Sequence, residues 1–331
     1  MRVFVTGATG AIGPHAVRAL VDAGHEVSAL ARTSEKAEIV RSLGAEPVTV
    51  SLFDRDALAK AFAGHDAVVN LATAIPPTAK YALPWAWKEN ARIRTEGTAA
   101  VVDAAIAAGV LTLVQESIIY VYADGGSNLL TEESPIETFP IVDTTPTSEA
   151  HIARFTESGG TGVVLRFGLF YGTGSQQSKE LMFGARMHFG VVLGAPKRYF
   201  SPINVEDGGR AAVAALRAPA GIYNIVDDVP ITKKDFGKAI STAVGKKALV
   251  SGPGRLMALT GKNSGAITRS HRVSNAKFKS VTDWEPKYPS AFEGWEQTAI
   301  ESGGKPSPAL LLAAIAVLIV VLAVVVGVMV L

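Results

Sequence analysis

The N-terminal segment MRVFVTGATGAIGPH constrains the fold more than any other part of this chain of 331 residues. Residues 3–5 form a short apolar run typical of a buried parallel strand, and helical apolar spacing begins after Pro14. Three glycines, Gly7, Gly10 and Gly13, lie between the two elements. Glycines at such a junction let the backbone turn tightly, and the helix N-terminus offers free N–H groups to an anion. The segment therefore predicts a site for the diphosphate of a dinucleotide.

Further cofactor contacts are expected along this loop and at the end of the second strand, Glu26 to Ala31. An acidic residue there would favour NAD, but the chain has Ala31 followed by Arg32, with Lys36 nearby. An arginine can pair with a 2′-phosphate, so we predict NADP, with NAD still possible and a surface arginine as the alternative. The loop residues expected to contact the cofactor are Gly7, Thr9, Gly10, Ala11, Ile12 and Gly13.

The following segments continue the alternation of strands and helices. PVTVSLFDRDAL predicts a third strand with Asp54 at its end, suited to the adenine amino group. DAVVNLATA predicts a fourth strand, with Asn70, Leu71 and Ala72 passing under the cofactor and Thr73 as a further cofactor contact. LTLVQESIIYVYA predicts a fifth strand that ends at Ser117, and alanine-rich helices such as EGTAAVVDAAIAAG intervene. This pattern predicts an α/β fold, a Rossmann-type doubly wound parallel sheet covered by helices on both faces.

Together these segments resemble the extended short-chain dehydrogenase/reductase family, of the NAD(P)-dependent epimerase/dehydratase type. The resemblance covers roughly residues 1–300 and is carried by TGATGAIG, SLFD, VVNLA, EGTAAVVDAAIAAGV, ESIIYVYA, LRFGLFYG, SPINVEDGGRAAVAAL and GIYNIVDDVPIT. It implies a dinucleotide-binding domain over 1–165, completed by parts of 200–230. A smaller substrate lobe would occupy most of 166–300, and 301–308 would be a linker.

The catalytic pair of that family is absent from this chain. In the family a tyrosine transfers a proton, and a lysine four residues later binds the nicotinamide ribose and lowers the tyrosine pKa. These two positions are Thr145 and Glu149 here, and none of the seven tyrosines has a lysine four residues later. A carboxylate raises the pKa of a nearby tyrosine, so Glu149 cannot replace the lysine.

Three residues remain as catalytic candidates by the resemblance. Ser117 matches the serine that orients the substrate, and Tyr120 or Tyr122 could act as the acid. The alternation of the two tyrosines predicts that both point to one side of an extended segment. The alternative is that they are structural aromatics.

Substrate contacts are predicted from three cations. Arg94 lies on the helix that borders the cleft in relatives, although it could instead pair with Glu89 or Glu96 at the surface. Lys197 follows a segment rich in Met and Phe, which reads either as core or as a lipid-binding wall. Arg272 lies in SHRVSNAKF, which resembles a late segment of the family's substrate lobe.

Residues 309–331 are apolar except for Gly327. As a helix they would span about 34 Å, against a hydrocarbon core of about 30 Å, so we predict a transmembrane helix rather than a buried core helix. No signal peptide is recognised and Lys305 precedes the segment, so the expected arrangement is a C-terminal membrane anchor with the globular part in the cytoplasm.

Composition limits the remaining possibilities. The chain has no cysteine, which fits a reducing compartment and excludes disulfides and thiolate metal sites. The six histidines are scattered, and we predict no metal. Residues 233–287 contain twelve Lys and Arg against three Asp and Glu. This basic segment reads either as solvated helix faces or as a surface that lies on an anionic leaflet.

Two functions follow from the sequence. The first is an NAD(P)-dependent oxidoreductase or epimerase acting on an amphipathic or lipid-linked substrate at the cytoplasmic membrane face. The second is a non-catalytic NADP(H)-binding redox sensor, or an accessory subunit of a membrane complex. No nucleic-acid partner is expected.

Overall fold

The computed structural model describes residues 1–77, 80–81, 83–254 and 265–303. The predicted membrane helix, 309–331, lies outside the described residues, as does most of the predicted linker. None of the helices in the described ranges combines the length and the apolar character needed to cross a bilayer.

The described residues form fifteen strands. Seven of them build one parallel sheet in the order β12-β7-β5-β4-β1-β2-β3, which confirms the predicted Rossmann-type α/β fold. The strands are β1 (Arg2–Thr6), β2 (Glu26–Leu30), β3 (Glu46–Val48), β4 (Ala67–Asn70), β5 (Thr112–Ile118), β6 (Leu129–Leu130), β7 (Thr161–Phe167), β8 (Leu169–Tyr171), β9 (Phe189–Leu193), β10 (Tyr199–Phe200), β11 (Pro202–Asn204), β12 (Gly221–Ile225), β13 (Ile231–Thr232), β14 (Val250–Gly254) and β15 (Arg272–Val273).

Helices cover both faces of the sheet and fill the second lobe. They are α1 (Gly13–Asp22), α2 (Ser34–Ser42), α3 (Arg55–Phe62), α4 (Lys88–Arg92), α5 (Thr98–Ala107), α6 (Thr145–Glu157), α7 (Gln176–Arg186), α8 (Val205–Ala214), α9 (Lys233–Ala243), α10 (Gly265–Thr268), α11 (Ala276–Val281) and α12 (Ala291–Glu301). A π-helical turn, Ile93–Gly97, joins α4 to α5.

Strand β1 lies between β2 and β4 in the sheet, and helices cover both of its faces. Val3 pairs with Val27 on one side and with Ala67 on the other. On one face α1 and α8 pack closely, since a side chain at Gly209 would come within 2.6 Å of the carbonyl carbon of His15. On the other face α3, α5 and α6 cover a second apolar core. Helix packing on both faces therefore holds the carboxyl ends of the strands in place next to the glycine loop.

The second lobe has an aromatic core of its own. Tyr171 stacks on Trp295 at 5.2 Å between ring centroids, and both contact Phe236. Met182 and Phe183 are buried, and Met182 belongs to this core. The structure therefore favours the core interpretation of the Met- and Phe-rich segment for these two residues. Met187, in contrast, is exposed.

Candidate cofactor and active site

A cleft opens at the carboxyl ends of β1, β2 and β4, where the strand order of the sheet reverses. This is where open α/β sheets bind their ligands. The cleft contains eight of the twelve predicted cofactor residues, Gly7, Thr9, Gly10, Arg32, Lys36, Leu71, Ala72 and Thr73. Sequence reasoning did not include the six others that line it, Thr6, Leu30, Ser51, Leu52, Phe53 and Ile93.

The glycine loop packs so closely against neighbouring backbone that side chains would clash there. Gly7 has φ of 69°, and a Cβ there would lie 2.4 Å from the carbonyl carbon and oxygen of Leu71. A Cβ at Gly13 would lie 2.2 Å from the carbonyl oxygen of Gly7. Helix α1 begins after Ile12 without a side-chain cap and has Pro14 in its first turn. These features fit the diphosphate of a dinucleotide, which accepts hydrogen bonds from helix N-terminal amides.

The other end of the cleft carries positive charge. Ala31, at the end of β2, is buried, whereas Arg32 is exposed and Lys36 lies in the first turn of α2. No ion pair among the described residues involves Arg32 or Lys36. Because both line the cleft, they are available to a phosphate on the adenosine ribose.

The segment after the third strand forms one wall of the cleft, and this wall was not predicted from the sequence. Asp54 accepts a hydrogen bond from the backbone N–H of Ala57 at 3.0 Å and so caps α3. Its neighbour Phe53 lines the cleft instead, and the guanidinium of Arg92 lies 3.8 Å from the Phe53 ring centroid. An aromatic residue just before a helix-capping Asp was the available signal. The predicted contact between Asp54 and adenine stays a prediction.

The fourth and fifth strands are held together beneath the cleft by buried amides. Asn70 donates to the side-chain oxygen of Gln115 at 2.7 Å and receives the hydroxyl of Thr6. These bonds connect the ends of β1, β4 and β5. Leu71 to Thr73 therefore leave β4 in a fixed position along the floor of the cleft.

Glu149, which the resemblance places where the family has its lysine, forms a buried ion pair. Glu149 on α6 accepts from Arg166 on β7 at two places, from Nε at 2.8 Å and from Nη2 at 2.6 Å. Ser117 donates its hydroxyl to the same carboxylate at 2.6 Å. Burial alone lowers the pKa of Arg166, but the hydrogen bonds and charge of Glu149 more than offset this, so the pKa is raised and the guanidinium stays charged. Thr145, which the resemblance places at the family's tyrosine, is fully buried, and its hydroxyl has no hydrogen-bond partner among the described residues.

Tyr120 and Tyr122 do not lie on the extended segment from which their common direction was predicted. A 3-10 turn, Ile119–Val121, replaces the extended segment. Tyr122 is fully buried, donates to Asn224 Oδ1 at 2.8 Å and accepts from Arg166 Nη1 at 2.9 Å. Burial is the main cause that raises its pKa to about 12.

Tyr120 has a different environment. Its ring contacts His271 at 5.5 Å between centroids and packs against a cluster that contains Trp87 and Phe139. Burial, and then the neighbouring Tyr81, raise the pKa of Tyr120. Its hydroxyl forms no hydrogen bond with the rest of the described chain. A raised pKa makes a phenol a weaker acid, the opposite of what the family's lysine achieves.

The three cations expected at the substrate lie on separate elements, and none lines the cleft. Arg94 is buried against Glu116, with Nη2 at 2.9 Å and 3.0 Å from the two carboxylate oxygens. It thus differs from the expected surface or substrate group, because the π-helical turn directs it into the interior beside β5. Lys197 is exposed, and the exposed Arg272 donates to the carbonyl of Ser127 at 3.2 Å. Among the described residues, no group of His, Asp and Glu is suited to hold a metal ion.

Comparison with known proteins agrees with this geometry. A family described as NAD(P)H-binding matches residues 7–175. The chain is 32% identical over 307 residues to 3-diazoavenalumate denitrifying reductase from a Streptomyces species, which covers 89% of this chain and 99% of that protein. It is 31% identical over 261 residues to 4-hydroxy-2-methyl-3-oxo-4-farnesyl-3,4-dihydroquinoline-1-oxide ketoreductase from Stigmatella aurantiaca, covering 76% and 75% of the two chains.

Solved structures show the same fold at lower identity. A human epimerase family protein in complex with NADPH superposes with a TM-score of 0.77 and 23% identity, over 91% of this chain and 99% of that one. UDP-glucose 4-epimerase from Thermus thermophilus with NAD gives a TM-score of 0.74 and 24% identity, over 92% and 100%. Neighbours of this fold therefore bind either nicotinamide dinucleotide.

Proposed function

Since this chain belongs to the NAD(P)H-binding family of Rossmann-fold proteins, we propose that it is an NADPH-dependent reductase that works without the family's Tyr/Lys pair. One observation carries the proposal. The cleft brings the glycine loop, Arg32 and Lys36 together, while Glu149 pairs with Arg166 at the place where the resemblance puts the relay lysine. When bound, the reduced nicotinamide supplies the hydride.

The chain's own residues divide the binding work. The loop from Gly7 to Gly13 and the N-terminus of α1 hold the diphosphate, because a backbone without side chains can approach it closely. Arg32 and Lys36 bind the 2′-phosphate, and this pairing is the reason to propose NADP rather than NAD. Phe53 covers the adenine. The resemblance to proteins that bind NADPH or NAD supports either cofactor.

Proton supply is where this chain departs from the family. The hydroxyl hydrogen of Ser117 is donated to Glu149, and that of Tyr122 is donated to Asn224. Neither hydroxyl is therefore available to donate a hydrogen bond to a substrate carbonyl. Of the three proposed catalytic residues, only Tyr120 has a hydroxyl without a hydrogen bond in the described chain. We therefore propose Tyr120, although its pKa is raised, as the proton donor for acceptors that need one.

The hydride acceptors that suit this site best are those whose reduction needs no proton in the hydride-transfer step. Hydride addition to an aryldiazonium ion gives a neutral aryldiazene, whereas reduction of a ketone to an alcohol needs both hydride and proton. The Streptomyces relative is named for the reduction of a diazo compound, which supports the first class. The Stigmatella relative is named for a farnesylated quinoline oxide, which supports an amphipathic acceptor.

We further propose that 309–331 anchors the protein in the cytoplasmic membrane, with the cleft in the cytoplasm. The support is the length and apolar character of this segment in the sequence. An anchor of this kind would keep the reductase next to amphipathic acceptors. Resistance of the full chain to alkaline extraction from membranes tests the anchor, and its release into the soluble fraction would contradict it.

The reductase proposal is tested by following NADPH oxidation with two groups of aromatic acceptors, aryldiazonium ions and ketones of similar size. We expect oxidation with the first group in both the native chain and Tyr120→Phe. Ketone reduction, where present, should depend on Tyr120. Absence of NADPH consumption with every acceptor would refute the reductase and leave cofactor binding to be explained.

A second candidate function is a non-catalytic NADP(H)-binding sensor or accessory subunit, including a subunit of a membrane complex. It is favoured by the same replacement of the relay lysine by Glu149. The cofactor would then act by stabilising one of two conformations that a partner distinguishes. NADPH binding with no consumption, together with co-purification of a membrane partner, would support this function over the first.

A further inference from the structure

An exposed apolar surface stands at one end of the second lobe. It consists of Met187, Leu249 and Val250, whose side chains are 64%, 78% and 63% exposed, and we refer to it as the apolar edge. Large aliphatic side chains occur singly on most protein surfaces, but a group of adjacent ones commonly marks an interaction site.

Backbone and side-chain contacts hold the apolar edge in place. His188, which follows Met187, is the one non-glycine residue with positive φ in the described chain, at 62°. Its carbonyl accepts the N–H of Leu249 at 2.9 Å, and its ring Nδ1 lies 2.8 Å from the carbonyl of Lys247. Strand β14 then pairs with β9, with Val250 opposite Phe189. The turn after α7 and the start of β14 therefore lie next to each other, and both carry exposed apolar side chains.

Positive charge borders the apolar edge. Lys246 and Lys247 directly precede it, both are exposed, and neither takes part in an ion pair with the described residues. They belong to the basic segment 233–287, with its twelve Lys and Arg against three Asp and Glu. Charges that are not neutralised within the protein are free to meet a negatively charged partner.

We propose that the apolar edge and the lysines Lys246 and Lys247 dock on an anionic lipid leaflet. Apolar side chains beside lysines suit this partner, because the side chains enter the boundary between headgroups and acyl chains while the ammonium groups meet the anionic headgroups. The inference rests on the proposed anchor at 309–331, which would keep the lobe at the membrane surface. Docking would fix the orientation of the catalytic domain relative to the bilayer.

The test uses the absence of cysteine from the natural chain. Leu249→Cys in the full-length protein provides a single attachment site for a fluorophore that reports its surroundings. Leu111→Cys is the matched control, since Leu111 is 66% exposed and precedes β5 in the other domain. Each labelled chain is reconstituted into vesicles of phosphatidylcholine, with or without phosphatidylglycerol, that contain a nitroxide-labelled quencher lipid.

We expect quenching of the label at position 249 in anionic vesicles and none at position 111. Replacing Lys246 and Lys247 by Gln should lower the docking equilibrium about 25-fold, since each lysine near an anionic surface contributes about fivefold. Equal quenching at positions 249 and 111 would overturn the docking proposal. Quenching at position 249 that does not depend on phosphatidylglycerol would also overturn it.

Flotation of the same vesicles separates the two inferences. A chain that floats with vesicles but leaves the label at position 249 in water retains the anchor and refutes the docking surface. A chain that does not float refutes both membrane inferences. The reductase proposal is judged independently by NADPH oxidation.

Discussion

Glu149 and Arg166 form a buried ion pair with two hydrogen bonds, and their side chains are 9% and 2% exposed. The pair joins α6 to β7 directly behind Ser117. It occupies the position from which a lysine would serve a catalytic tyrosine in the family that this chain resembles. At this position the structure therefore connects a helix to the sheet.

The change Glu149→Gln tests the structural importance of this pair. It would leave Arg166 charged in the interior without its counterion, and we expect the free energy of unfolding to fall by roughly 3–5 kcal/mol. Urea denaturation measures this loss. The matched control is Asp103→Asn, which breaks the exposed pair of Asp103 with Arg154 and should cost less than about 1 kcal/mol. Equal losses in the two variants would contradict the assignment.

Two glycines with similar backbone angles should respond differently to substitution by alanine. Gly7 and Gly24 have φ of 69° and 80°, but only at Gly7 would a Cβ meet another part of the backbone. Gly24→Ala should cost about 1 kcal/mol of stability and preserve NADPH binding. Gly7→Ala should remove binding, because the loop must separate from Leu71. Calorimetric titration with NADPH distinguishes the two, and undiminished binding by Gly7→Ala would count against the cleft.

Cofactor choice can be tested at Arg32. Arg32→Gln should weaken NADPH binding about 10- to 100-fold, as expected for loss of a charge-assisted phosphate contact of about 1–3 kcal/mol, and should leave NADH binding unchanged. Arg41→Gln is the control, because Arg41 lies on α2 but pairs with Glu38 at the surface. Equal weakening of NADPH and NADH by Arg32→Gln would show that Arg32 does not bind the 2′-phosphate.

Substitution of Tyr122 and of Tyr120 by phenylalanine should distinguish a structural role from a role in proton transfer. Tyr122→Phe removes the hydrogen bonds with Asn224 and Arg166 and should lower the free energy of unfolding by about 1–3 kcal/mol. Tyr120→Phe should leave stability nearly unchanged and selectively lower the kcat for acceptors that need a proton, by about 100-fold or more. A kcat for ketones that is the same in Tyr120→Phe and the native chain would remove Tyr120 from the proposed mechanism.

Stability should also depend on pH through His271. Burial is the main cause that lowers the pKa of His271 from 6.5 to about 4. The unfolded chain therefore takes up a proton below pH 6.5 that the folded chain takes up only near pH 4. The stabilisation is complete above 6.5 and is lost as the pH falls toward 4, by up to about 3 kcal/mol. Urea midpoints across this range should fall less steeply in His271→Gln, and parallel pH profiles would contradict the assignment.

Most residues that line the cleft could be predicted from the sequence because their signals are local. The turn at Gly7, the helix start at Pro14 and the cation after β2 all follow from neighbouring residues. Phe53 was missed because capping of α3 by Asp54 changes which residue faces the cleft. A one-residue shift of this kind cannot be read from a short strand and loop alone.

The region around Ser117 was less accessible to sequence reasoning for a different physical reason. The partners there are distant in the chain. Glu149 meets Ser117 and Arg166 across three elements, and Arg94 finds Glu116 through the π-helical turn. The turn at Ile119–Val121 also breaks the alternation expected of Tyr120 and Tyr122. Ion-pair choice and tyrosine direction thus depend on tertiary packing.

The central claim is that the cleft between the glycine loop and Arg32 binds NADPH. Isothermal titration calorimetry of the purified chain with NADPH and then with NADH tests it most directly. We predict micromolar or tighter binding of NADPH and binding of NADH at least about tenfold weaker, the difference of about 1.4 kcal/mol expected from a single phosphate contact. A titration with no heat and no binding for either nucleotide would contradict the account.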